Sequence, residues 1–257
     1  MLIKLMKYEF KANSRLIISL FGAMIAMSIV NRLLDLLNRA ADIEFLFITN
    51  NFSHSLSLML IIATWVTLLF ITIQRFNKSV LQKEGYLTHT LPVSTEKIIL
   101  SRLFVASIWY IIGGIVAILS VVILTNSFNF SDIKPFLNGL FVFENLRTLI
   151  ELIVCFVLAV FCALLLLYAC LSLGMLANSH RALLSFGAFW AISTMMQLLF
   201  SITLALMSTV LFRATNWALF PDGIHVALLI MICFLSIFCV IFFLITRNML
   251  RYKLNLR

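Results

Sequence analysis

Six long apolar stretches limit what this 257-residue chain can become more than any other feature. Crossing the ~30 Å hydrocarbon core of a bilayer takes about 20 mostly apolar residues at ~1.5 Å rise each. Leu56–Ile73, Leu103–Leu124 and Val226–Ile245 run cleanly, and Leu152–Leu176 is followed by the polar break Asn178, Ser179, His180, Arg181 and then by Ala182–Leu211. Leu16–Val30 is too short alone, but it continues through Asn31, Arg32, Leu33, Leu34, Asp35, Leu36 and Leu37. Arg32 and Asp35 stand three apart, so they share a helical face and can pair or snorkel at the membrane boundary. The expectation is an all-α polytopic membrane protein forming one transmembrane domain, with spans near 16–37, 56–75, 103–124, 152–176, 182–211 and 226–246.

Composition excludes the alternatives. Hydrophobic residues make up 63% of the chain and charged ones 11%, and mean hydropathy is +1.12, whereas soluble domains sit near ~45–50% apolar and ~25% charged. Eight Gly and three Pro rule out a collagen-like or linker-rich chain. A basic start before a short apolar run resembles a signal peptide, but no soluble mature domain follows, so an uncleaved first span is expected.

The formal net charge of +9 invites a nucleic-acid reading until the charges are sorted by segment. Fourteen of the nineteen Lys and Arg fall in the N-terminus, the second-to-third and fourth-to-fifth connections and the C-terminus, while seven of the ten acidic residues fall in the other three connections. Positive-inside bias then puts both termini in the cytoplasm, and nucleic acid is not an expected partner. Arg247, Arg251, Lys253 and Arg257 anchor the last span to anionic headgroups.

Much familiar chemistry is missing. Cys155, Cys162, Cys170, Cys233 and Cys239 all lie in apolar stretches, an odd number without CxxC spacing, and read as small apolar core residues. His54, His89, His180 and His225 are dispersed, with no HExxH or i,i+4 pairing, so no metal site and no catalytic residues are expected. No Gly-Lys pair occurs, so the chain holds no P-loop and no ATPase of its own. Ion-coupled carriers place ionisable residues deep in a span, whereas the deepest polar residue here is the uncharged Gln197; it either faces a substrate path or hydrogen-bonds a neighbouring helix.

Two segments outside the spans are patterned. Lys4, Lys7, Lys11 and Arg15 repeat at three, four and four on one helical face, opposite an apolar arc of Leu2, Ile3, Met6 and Phe10. That is an interfacial helix on the cytoplasmic leaflet, over residues 1–15, leading into the first span. The second-to-third connection, residues 76–101, carries Gly85, able to close a helix, Pro92, which disfavours helix at Leu91, and Ser94 as an N-cap with Glu96 in the following first turn. A short element, about Tyr86–Leu91, is thereby held between two rigid helices, a geometry suited to transmitting force.

Glu84-Gly85-Tyr86-Leu87-Thr88-His89-Thr90-Leu91-Pro92-Val93-Ser94, followed by Ile98-Ile99-Leu100-Ser101-Arg102, resembles the cytoplasmic loop of ABC transporter permeases of the type-2 exporter family, in particular small bacterial permeases with an "EGYL-x-x-TLPVS" stretch. Leu173–Arg181 is similar to their short fourth-to-fifth connection, and Leu5–Lys11 resembles their N-terminal "KYEFK" segment. The resemblance implies an N-terminal elbow helix, six spans and a coupling helix formed by Glu84, Gly85, Tyr86, Leu87, Leu91, Pro92, Val93 and Ser94 that docks on a separate ABC ATPase subunit, which carries the ATP and Mg. It also implies a second permease copy or a paralogue across a substrate path, in a bacterial cell membrane, and re-entrant helices before the sixth span, for which Met207–Gly223 is the candidate. The aromatic segment Thr125–Thr148 is expected to pack at the outer interface. Two rival readings stay open at this point: an ion-coupled carrier or channel, and a non-transporting sensor or scaffold subunit of an ABC complex.

Overall fold

The computed structural model describes residues 2–41, 44–77, 95–124, 143–176, 180–213 and 223–252, and they are helical almost throughout, with no strand among the described residues. The helices are α1 (Leu2–Ala41), α2 (Glu44–Phe76), α3 (Thr95–Leu124), α4 (Phe143–Gly174), α5 (Arg181–Arg213) and α6 (Gly223–Tyr252). Each contains a segment long and apolar enough to cross a membrane, matching the six expected spans. The chain is a multi-pass membrane protein.

Helix ends reach further than the apolar runs alone indicate. The α1 helix is one uninterrupted element of 40 residues, about 60 Å long and roughly twice the hydrocarbon thickness. The basic N-terminal segment is therefore helical, as expected, but continuous with the first span and not a separate elbow. No Gly or Pro occurs before Gly22 to interrupt it. Likewise α2 starts at Glu44, twelve residues before Leu56, because residues 44–55 contain no Gly or Pro. The α5 helix runs unbroken to Arg213, so the first part of the segment expected to be re-entrant continues the preceding helix; residues 214–222, like 125–142 of the aromatic connection, lie outside the described residues.

The chain divides into two compact units, Met1–Arg75 with Leu100–Leu146, and Phe76–Ile99 with Arg147–Arg257. In the first, Ile17 and Phe21 of α1, Leu68 of α2, and Val105 and Trp109 of α3 form the buried core, with Met6, Ile71 and Tyr110 packed against it. Gly113 permits this approach: a Cβ there would sit 3.2 Å from Leu68 Cδ1 and 3.3 Å from Phe21 Cζ. Further along the same helices the packing becomes polar. The Ser28 and Ser120 hydroxyls bond each other at 2.5 Å, and Ser120 also donates to the Met24 carbonyl. Fully buried Asn31 bonds Ser53 and Ser57 of α2. His54 Nε2 lies 3.4 Å from Asp35 Oδ1, so Asp35 pairs with α2 as well as sharing a helical face with Arg32.

In the second unit α4 carries most of the buried side chains, among them Cys162, Leu164, Leu165, Tyr168, Ala169 and Cys170. Phe234, Phe238 and Phe242 form an i,i+4 aromatic ladder along α6 that begins against Phe200 of α5. The expectation of core cysteines holds for Cys155, Cys162 and Cys170, whereas Cys233 is exposed on this chain's surface. The α4–α5 hairpin is tight at Gly174, where a Cβ would lie 2.8 Å from the Arg181 carbonyl oxygen and meet the Ser185 hydroxyl.

These contacts make the glycines unequal. Gly113→Leu is expected to destabilise the folded chain by ~1–3 kcal/mol through overpacking, while Gly22→Leu, where an added Cβ meets nothing within 4 Å, leaves it unchanged; thermal unfolding in detergent distinguishes the two.

Candidate functional site

The residues expected to couple to a partner, Glu84, Gly85, Tyr86, Leu87, Leu91, Pro92, Val93 and Ser94, lie outside the described residues. What the structure describes is how the two ends of that connection are rooted. The chain passes from the first unit to the second between Arg75 and Phe76, and returns between Ile99 and Leu100.

Within the first unit, Arg102 on the second turn of α3 is buried, its side chain 7% exposed. Its Nη2 lies 3.5 Å from Glu9 Oε1 of α1, and its Nη1 donates to the Arg75 carbonyl, 3.4 Å away, at the end of α2. One guanidinium therefore joins three helices, which its planar fork of five donors permits and a lysine's point charge does not. Losing Glu9 would leave a buried cation short of its counter-charge, a change that costs several kcal/mol when burial is deep. Beside this pair, the Phe10 ring stacks on Trp109 at 4.5 Å and 14°, fixing the N-terminal part of α1 along α3.

Within the second unit, the Phe76 ring is 1% exposed and stacks on Tyr168 of α4 at 4.2 Å and 9°. Ile98 and Ile99 on the first turn of α3 are also buried. Glu96, on that turn, receives Arg247 Nη2 of α6 at 2.8 Å. The acid favours the positive end of the α3 dipole. Each end of the connection is thus held by a ring stack or a charge pair on a helix that is distant in sequence.

The remaining sequence-predicted residues do not join this cluster. Lys7, Lys11 and Arg15 project from the exposed face of α1, opposite Glu9; Lys4 is in the same helix, its side chain outside the described part. Gln197 is exposed on α5, whose most apolar window has no residue buried within the chain. Among the described residues it makes no hydrogen bond. An apolar crevice of about 240 Å³ between α5 and α6, lined by Phe200, Leu204, Met231 and Phe234, has one polar lining residue, Thr203, whose hydroxyl is spent on the Phe200 carbonyl.

Sequence reading missed the pairs that tie helices together. His225 Nδ1 and Glu151 Oε2 lie 2.8 Å apart, joining α6 to α4, with Arg147 on the other carboxylate oxygen at 3.2 Å. The i,i+4 spacing of Arg147 and Glu151 was legible; the histidine, 74 positions away, was not. Among the described residues no group of three metal-ligating side chains forms. No protein-family model, no curated protein and no solved structure matches this chain.

If the Phe76–Tyr168 stack roots the connection, its two halves act together. Phe76→Leu and Tyr168→Leu are expected to be non-additive by ~0.5–1.5 kcal/mol in a double-mutant cycle of unfolding free energies, whereas Phe76→Leu with Gly22→Leu is additive.

Proposed function

We propose that this chain is the membrane-spanning permease subunit of an ATP-driven ABC exporter, working with separate ATPase subunits and with a second permease copy or a paralogue. One observation carries the reading: the connection that resembles a coupling segment emerges from roots that are paired on both sides, buried Arg102 with Glu9 and the Arg75 carbonyl, buried Phe76 with Tyr168, and half-exposed Glu96 with Arg247. A flexible linker between spans would need none of these contacts. A lever needs all of them, because a push on residues 84–94 moves other helices only where the flanks cannot yield separately.

In this mechanism ATPase subunits close on ATP and Mg and press on the segment. The load then reaches α4 through Tyr168, α6 through Arg247 and α1 through Glu9. Tilting of these helices alternates access to a central path between the cytoplasm and the outside of a bacterial cell membrane, with both termini cytoplasmic. The apolar helix walls favour an amphipathic or hydrophobic cargo such as a peptide, lipid or drug, and Gln197 is the polar residue available to line its path. A second reading, an ion-coupled carrier, draws on the Glu151–His225 pair, an ionisable couple where the apolar segments of α4 and α6 begin.

Co-purification followed by reconstitution decides between them. The chain is expected to bring down an ATPase whose hydrolysis in lipid rises with cargo, and Leu91→Asp or Gly85→Pro is expected to leave insertion intact while abolishing docking or transport. Transport of a labelled amphipathic peptide with no ATPase present, or full coupling in both variants, overturns the proposal.

A further inference from the structure

The N-terminal part of α1 has two faces with different tasks. Seen down the helix at ~100° per residue, Lys7, Lys11 and Arg15 fall within one arc of under a quarter turn, and all three are exposed, as is Tyr8 at the edge of that arc. Met6, Glu9, Phe10, Asn13 and Ile17 fall on the opposite side. Each of these meets or faces the protein: Met6 packs on the first unit's core, Glu9 pairs with Arg102, Phe10 stacks on Trp109, and Asn13 and Ile17 are buried.

Depth follows from the helix being continuous. With the apolar run starting at Leu16, Arg15 stands at the hydrocarbon edge, Lys11 about 6 Å beyond it and Lys7 about 12 Å beyond it along the axis. The headgroup layer is about 5–8 Å thick on each side, so Arg15 and Lys11 sit at headgroup level and Lys7 lies just outside it, within a Debye length of about 8–10 Å of its charge. A ribbon of cations that starts in the headgroup layer and ends just outside it complements anionic lipid, and the opposite face of the same helix grips the root of the second-to-third connection.

We infer that anionic phospholipid on the Lys7–Lys11–Arg15 face of α1 tightens the Glu9–Arg102 attachment, so that leaflet charge regulates how firmly the connection is rooted. Lipid that binds the docked helix in preference to the undocked one stabilises the docked state by linkage. The displacement passes through one rigid helix, so no further moving part is required. The consequence for transport rests on the exporter reading; the effect on α1 and α3 does not.

The test uses the full chain alone, in vesicles of phosphatidylcholine and in vesicles where about a third of the lipid is phosphatidylglycerol. Hydrogen–deuterium exchange at residues 6–15 and 96–105 is expected to slow about tenfold in the anionic vesicles. Lys7→Gln, Lys11→Gln and Arg15→Gln together are expected to remove the difference at both sites. Glu9→Gln should keep it at residues 6–15 and lose it at 96–105, and the charge exchange Glu9→Arg with Arg102→Glu should restore it, showing that the loss is not misfolding. Equal exchange in the two vesicles, a difference that survives loss of the three cations, or one reproduced in phosphatidylcholine by inorganic phosphate overturns the inference. These outcomes are read without an ATPase, so they stand apart from failure of the exporter reading, which shows as absent ATPase association.

Discussion

Hydrocarbon offers a protein no hydrogen-bond partner, and the rest of this structure depends on that constraint. Every backbone N–H and C=O within the apolar stretches must be satisfied by the chain itself, which the α-helix does segment by segment. Hydroxyls obey the same rule. Thr64, Thr67 and Thr72 of α2 each donate to the carbonyl four residues before, at 2.7 to 2.8 Å, and Ser172, Thr203 and Ser236 do so at three residues. These side chains cost little in the bilayer because they carry their own acceptor with them.

Groups that cannot return to their own helix tie helices together instead. An amide has four hydrogen-bonding positions and no local carbonyl to absorb them, so Asn31 is placed against Ser53 and Ser57. The carboxylates Asp35, Glu151, Glu9 and Glu96 meet His54, His225, Arg102 and Arg247 across helices. In each unit the middle of the helices is held by apolar and aromatic packing, and the ends by charge pairs.

The six spans were legible because an apolar run of that length has one stable fate in a membrane. The root of the second-to-third connection was legible only in part. Pro92, Gly85 and Ser94 marked the segment as patterned, since they act on the backbone next to them. Nothing in the sequence pointed from Phe76 to Tyr168 or from Arg102 to Glu9, because both rings and both charges are ordinary residues at helix ends, and their partners are about ninety residues away. The N-terminal helix shows the same boundary from the other side. Its basic face was read from periodicity, whereas the work of its inner face depends on α3 lying beside it.

By itself, then, the sequence determined an all-helical chain with six apolar crossings, a biased distribution of charge and a patterned connection, since those properties depend on composition and on neighbours within a turn or two. Tertiary structure decided which polar groups share a buried pair, that Gly113 and Gly174 are the close approaches and Gly22 is not, and that one arginine gathers α1, α2 and α3. These choices turn on which helix faces which, a matter of packing between segments far apart in the chain, where local periodicity carries no information.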